Sequence, residues 1–176
     1  WVAEAKRAQA YQFVEDRLSH GERMYVISPL VTDREGHMVR SAETIAGQLR
    51  DVFPDRTIAL LHGQMSPGEK DAAMEAFRSG DAQILVATIV IEVGIDVPEA
   101  TVMIIEHAER FGLATLHQLR GRIGRGDRGG VLLLMGEPDT DEARQRLRTL
   151  VATDDGFQIA EEDLRLRGFG DVLGAR

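Results

Sequence analysis

Cysteine is absent from the 176 residues, which excludes disulfides, thiolate metal sites and a cysteine nucleophile. Asparagine is absent too, and 19 of the 21 basic residues are arginine; a GC-rich genome accounts for both without invoking function. No apolar run approaches the ~20 residues needed to span a bilayer. The opening residues, Trp1-Val2-Ala3-Glu4-Ala5-Lys6-Arg7, form neither a secretory signal nor a transit sequence, so the cytoplasm is the default expectation. They include no initiator methionine, so a piece of a longer protein is expected. Histidines 20, 37, 107 and 117 show no metal-ligand spacing.

What is present suits one soluble domain with a proper core: 43% hydrophobic and 28% charged residues, with no low-complexity tract. The net charge of −8 argues against a general nucleic-acid-binding surface. Its distribution is uneven, because residues 110–128 hold five arginines and a single acid, Asp127. A basic strip on an acidic body follows.

Short β-branched runs alternate with helical patterns. Residues 3–19 carry Ala8, Tyr11, Val14 and Leu18 at helical spacing. Strands are expected at 24–27, 57–61, 84–87, 101–105 and 131–135, with helices at 41–52, from the Ser66 cap to Ser79, and from about Ala114. Ser66-Pro67-Gly68-Glu69 forms a capping box with proline at the first helical position, and Gly80 stops that helix. Residues 31–40 form a polar loop. Continuous apolar strands alternating with helices predict an α/β fold, a mostly parallel sheet with helices on both faces. Ligands of such sheets sit beyond the C-terminal ends of the strands. After Glu137 the strands cease, and residues 140–166 predict a helical hairpin appended to the body, divided near Asp154-Asp155-Gly156. The division is thus 1–138 for the α/β lobe and 139–176 for the hairpin and the glycine-punctuated tail.

The strongest chemical signal is Gln118-Leu119-Arg120-Gly121-Arg122-Ile123-Gly124-Arg125-Gly126. On a continuous helix, Gln118, Arg122 and Arg125 fall in one narrow arc, while Leu116, Leu119 and Ile123 face the core. Gly121 and Gly124 remove bulk and permit close approach. Converging guanidiniums fit a phosphate chain and the charge that develops on a transferring phosphoryl group; the plainer alternative is a solvated basic face. Thr88 ends a strand, placing its hydroxyl at the sheet edge, and Gly94 and Asp96 follow in the next loop. There Asp96 suits a ribose hydroxyl or an arginine, although Thr88 equally suits a helix cap and Asp96 a turn. His62-Gly63-Gln64-Met65 frees backbone N–H groups at a helix start, a phosphate site or only a tight turn. There is no Gly-x-x-x-x-Gly-Lys-Ser/Thr loop and no acidic strand-end pair for Mg2+, so a nucleotide would need a second lobe.

Residues 118–125 resemble motif VI of the superfamily 2 helicases, with Arg122 and Arg125 at the arginine-finger positions. Residues 84–98 resemble motif V, and Met24 to Pro29 with His62-Gly63 resemble motif IV and its neighbouring segment. Residues 87–98, the run Phe111-Gly112-Leu113-Ala114, residues 155–164 and Arg167-Gly168-Phe169-Gly170 are similar to bacterial RecG and to the transcription-repair coupling factor. Ser28-Pro29-Leu30-Val31 and Gly124-Arg125-Gly126 favour RecG, although Phe169 stands where RecG commonly carries proline.

The resemblance implies a second RecA-like motor lobe of an ATP-dependent enzyme that remodels stalled forks and Holliday junctions. In that frame Arg122, Arg125 and Gln118 act on ATP, and Gly94 and Asp96 contact the nucleotide. Thr88, Gly63 and Ser28 hold DNA, and Arg146 and Arg167 in the hairpin couple hydrolysis to movement. ATP and Mg2+ are held mainly by a first lobe, a wedge domain recognises branched or duplex DNA, and the protein acts as a monomer. Two rivals are the coupling factor's translocase lobe and a non-catalytic RecA-like interaction module. The second would be free to lose the arginines or Gln118, all of which are present.

Overall fold

A computed structural model describes residues 1–29, 40–88, 97–124 and 129–167, with the side chains of 40, 41 and 167 excepted. A 3-10 turn, Glu4–Lys6, leads into α1 (Arg7–Ser19) and β1 (Arg23–Ser28). α2 (Arg40–Val52), β2 (Ile58–Leu61), α3 (Pro67–Ser79) and β3 (Ile84–Thr88) follow. β4 (Ala100–Ile105) precedes a second 3-10 turn, Ala108–Arg110, then α4 (Leu113–Arg120) and β5 (Val131–Leu134). The helical pair α5 (Asp141–Ala152) and α6 (Gly156–Arg167) ends the described chain. The polar loop expected at 31–40 lies almost wholly outside the described residues.

The five strands form one sheet in the order β2-β3-β1-β4-β5, and every pairing is parallel. Alternate residues of each strand face opposite ways, so two apolar layers result. Met24, Val26, Ile84, Val86, Val102 and Ile104 pack beneath α1 and α2. Tyr25, Ile27, Leu85, Ala87, Met103 and Ile105 pack beneath α3 and α4. The apolar runs 24–27, 84–87 and 101–105 read as strands because both of their faces are covered.

Local signals set the ends of α3. The Ser66 hydroxyl accepts from the Glu69 amide while the Glu69 carboxylate accepts from the Ser66 amide, and Pro67 fills the first turn. Those Ser66 contacts hold the Glu69 carboxyl below its usual range. Gly80 closes the helix at φ 91°, in the left-handed region that favours glycine.

The hairpin is no loose appendage. Leu147 and Leu150 of α5 and Ile159 of α6 belong to the same buried cluster as Phe77, Leu113 and Leu116. At the opposite end of the chain, Val2 pairs in parallel with Met135 and its amide donates to Leu134 O at 2.9 Å. The Trp1 indole N–H donates to Gly136 O at 2.9 Å. The N-terminus thus runs beside β5.

A buried ion pair had no signal in the sequence. Arg7 Nη1 donates to Glu106 Oε1 at 2.7 Å and to Tyr11 Oη at 2.9 Å, with the Glu106 side chain 7% exposed. Burial opposes the Arg7 charge, but the bonds to Glu106, Tyr11 and Glu4 prevail and raise its pKa. Burial likewise pushes the Tyr11 phenol up, against the bond from Arg7. The pair joins the start of α1 to the residue after β4. Glu106→Ala is therefore expected to destabilise the fold by about 2 kcal/mol, the loss of one charged hydrogen bond, because Arg7 gives up its buried partner and keeps only Tyr11 and the exposed Glu4. Urea denaturation at pH 7 measures this; an unchanged midpoint would mean that solvent replaces the carboxylate at no cost.

Candidate functional site

Ser28, Thr88 and Gly63 converge. Ser28 and Thr88 end the adjacent strands β1 and β3 and are partners in register, 0% and 2% exposed. Gly63 follows the end of β2, the next strand outward. All three lie at the C-terminal edge of the sheet, where the topology rule for parallel sheets places ligands. Ser28 Oγ donates to Pro29 O at 3.2 Å. Beside them a cavity of about 520 Å³ is lined by His62, Gly63, Lys70, Asp71, Arg78 and Thr88, among others. Its cations and acids balance, so its recognition would rest on placed donors more than on net charge. The turn supplies them. His62 N donates to Met65 Sδ and Ser66 N to Glu69, leaving the amides of Gly63 and Gln64 without a partner among the described residues.

The arginine segment is built differently from its expected form. A continuous helix through residues 118–125 does not occur. α4 stops at Arg120, and the chain tightens into bonds three residues apart, Arg122 N to Leu119 O at 3.0 Å and Ile123 N to Arg120 O at 3.4 Å. Gly124 then turns left-handed at φ 68°. Gln118 is exposed and Arg122 half-buried, while Leu116 is fully buried and Leu119 and Ile123 pack against the core as expected. The close approach that Gly124 permits is made by the chain itself: a Cβ at Gly124 would meet Gly130 N at 2.5 Å. Arg125, Gly94 and Asp96 lie outside the described residues.

This turn lies at the other end of the strands. Gly130 immediately precedes β5, so the turn packed on it sits at the N-terminal edge of the sheet. The two groups of candidate residues thus lie at opposite edges, roughly 15 Å apart along the strand direction by the rise of a five-residue strand.

Arg120 serves structure. Its Nη1 donates to Leu150 O and Thr153 O, both at 2.8 Å, and lies 3.0 Å from Asp154, while Nη2 meets His117 Nδ1 at 2.9 Å. This binds α4 to the end of α5, and His117 has a structural part in it. Arg146 is held locally as well, by Glu142 at 2.6 Å and Glu109 O at 3.0 Å, with its side chain 19% exposed. Arg146 thus pairs with an acid one turn back on its own helix and also grips the turn after β4. The side chain of Arg167, at the end of α6, is outside the description.

Among the described residues no group of three or more His, Asp or Glu is arranged to hold a metal, and no helix is long and apolar enough to cross a membrane.

The family model of the helicase conserved C-terminal domain matches residues 5–127, which span the sheet edge and the arginine turn. The chain belongs to that family. It is similar to the ATP-dependent DNA helicase RecG of Aquifex aeolicus, 51% identical over 97% of this chain and 22% of that protein. It is also similar to RecG of Streptococcus pneumoniae, 44% identical over 100% of this chain and 26% of that protein. A solved structure of RecG bound to a three-way DNA junction superposes with a TM-score of 0.79 at 42% identity, covering 97% of this chain and 22% of that one. The chain therefore spans about a quarter of the relatives it matches. The fold is the RecA-like helicase C-terminal lobe, and the RecG likeness continues beyond residue 127 into α5 and α6.

Proposed function

We propose that this chain is the second motor lobe of an ATP-dependent DNA helicase of the RecG type, working on branched DNA such as stalled forks and Holliday junctions. The observation that carries this reading is the likeness to RecG across 97% of the chain, the helical pair included. Arg122 and Arg125, with Gln118, would act as fingers on ATP held by a first lobe of the same protein, and Gly94 and Asp96 would contact the nucleotide. Mg2+ would be held mainly by that first lobe, since the acid at the end of β4, Glu106, is already spent on Arg7.

Guanidinium forks at this turn suit the charge that develops on a transferring phosphoryl group. At the other edge, the free amides of the Gly63 turn suit a DNA phosphate, with Thr88 and Ser28 beside them. Arg146 would serve coupling through its hold on the Glu109 carbonyl, and Arg167 from the end of α6. The likeness of this chain to a protein solved on a three-way junction supports branched DNA as the partner. A monomer in the cytoplasm completes the proposal.

The test begins with the isolated 176-residue chain. It has finger arginines and no phosphate loop, so it is expected to hydrolyse no ATP above background, with or without DNA. Its affinity for ATP should be about millimolar, because it makes a minority of the phosphate contacts. A full-length enzyme carrying the same chain should hydrolyse ATP and unwind a model fork. Robust DNA-stimulated hydrolysis by the isolated chain overturns the two-lobe reading.

A further inference from the structure

One arginine far from the finger turn in sequence reaches the strand of chain on which that turn rests. Arg17, near the end of α1, donates from Nε to Glu22 Oε2 at 2.7 Å and from Nη2 to Gly129 O at 3.2 Å. Its side chain is 22% exposed and lies over the Phe13 ring, 5.6 Å from the centroid. Glu22 is fixed in turn by the hydroxyl of Thr101, a fully buried residue in β4. The guanidinium is therefore seated on the body of the sheet, with Nη2 directed at the Gly129 carbonyl.

Gly129 is joined to Gly130, and Gly130 is the surface on which Gly124 lies. A Cβ on Gly130 would stand 2.8 Å from Gly124 N and 3.1 Å from Ile123 C. The two backbones touch with no side chain between them, so a displacement of residues 129–130 passes directly to residues 122–124. α4 cannot absorb it, because Arg120 is already bound to the end of α5.

We infer that Arg17 is a positioning residue for the finger turn, holding the Gly129–Gly130 segment at the height that sets Arg122. The inference rests on the proposed role of Arg122 at the nucleotide. It assigns a part in the reaction to a residue of α1 that touches neither nucleotide nor DNA.

The experiment uses the full-length enzyme that carries this chain. Arg17→Gln is expected to lower kcat for DNA-stimulated ATP hydrolysis about tenfold, as small misplacements of catalytic groups do. KM for ATP should change less than about twofold, since ground-state contacts are made elsewhere. Hydrogen exchange should quicken in peptides covering residues 121–124 and 129–131 and stay unchanged in α2 and α3. Arg17→Lys keeps the pair with Glu22 but has only one nitrogen, so it should show the same kcat loss and the same local exchange. It also answers the question if the Gln variant fails to fold.

Wild-type kcat and exchange in the Lys variant would overturn the inference, showing that the ion pair alone matters. Equal loss of stability in every peptide would overturn it too, leaving Arg17 a general stabiliser. The underlying reading fails separately: if Arg122→Ala turns over normally, the fingers are lost as a mechanism, while the exchange measurement still decides whether Arg17 holds the turn.

Discussion

Arg122→Ala in the full-length enzyme is expected to lower kcat for ATP hydrolysis by about 10³-fold or more and to leave binding of branched DNA close to wild type. The size follows from the role. A finger acts on charge present only in the transition state, so its loss appears in kcat and far less in binding. The fold should survive, because the apolar neighbours of Arg122 make the core contacts. Leu119 and Ile123 pack against the buried cluster, while Arg122 itself is half-buried in a turn outside the helix. DNA binding should survive because the proposed DNA contacts, Ser28, Thr88 and Gly63, lie at the other edge of the sheet. The same outcome is expected for Arg125→Ala. Steady-state hydrolysis measured beside junction binding at one salt concentration decides the matter, since phosphate contacts weaken steeply as salt rises. Turnover near wild type would make Arg122 a surface charge.

In the full-length enzyme, Arg146→Ala should abolish fork unwinding and leave most of the DNA-stimulated hydrolysis. Arg146 ties α5 to the 3-10 turn after β4 through the Glu109 carbonyl, and Glu142 steadies it from one turn back. On the proposed reading, a residue so placed would pass motion between the helical pair and the sheet. The rival account gives Arg146 a purely local part. The Glu142 partner is 55% exposed, and a partly exposed pair of that kind contributes only about 0–1 kcal/mol. On that account both rates stay near wild type. Hydrolysis and unwinding measured on one fork separate the two, and a parallel fall in both would move Arg146 into the fold or the nucleotide site. Arg167→Ala is expected to behave as Arg146→Ala does.

The sequence disclosed what is local or strongly periodic. α3 shows its cap, its proline and its terminal glycine within 15 residues, and the structure uses all three. The central strands β1, β3 and β4 were legible because burial on both faces demands continuous apolar runs. The edge formed by Ser28, Thr88 and Gly63 followed from strand ends plus parallel topology. The arginine segment misled for a physical reason. The 3.6-residue spacing of Leu116, Leu119 and Ile123 is satisfied equally by a helix that tightens after Arg120, so periodicity could not reveal where the helix stops. Gly124 marks a turn there because residues 129–130 fold back onto it, a contact that local pattern does not contain. For the same reason the pattern does not say at which edge of the sheet the turn sits. The Arg7–Glu106 pair spans 99 positions, and Arg17 meets Gly129 across 112. Such pairings depend on the finished fold. The helical pair reads as an addition to the lobe because the strands cease before it, and that pattern does not reveal that Leu147, Leu150 and Ile159 join it to the core.

The bond from the Trp1 indole to Gly136 gives the molecule an optical label of its own. The chain has a single tryptophan, and it sits beside β5, 42% exposed. Fluorescence excited where tyrosine does not absorb therefore reports one border of the sheet, whereas far-ultraviolet circular dichroism reports all the helices and strands together. In a denaturant titration, coincident midpoints would mean that the N-terminal segment leaves β5 only when the whole domain unfolds. An earlier fluorescence midpoint would mean that this border frays first, as a separate cooperative unit with its own free energy of opening.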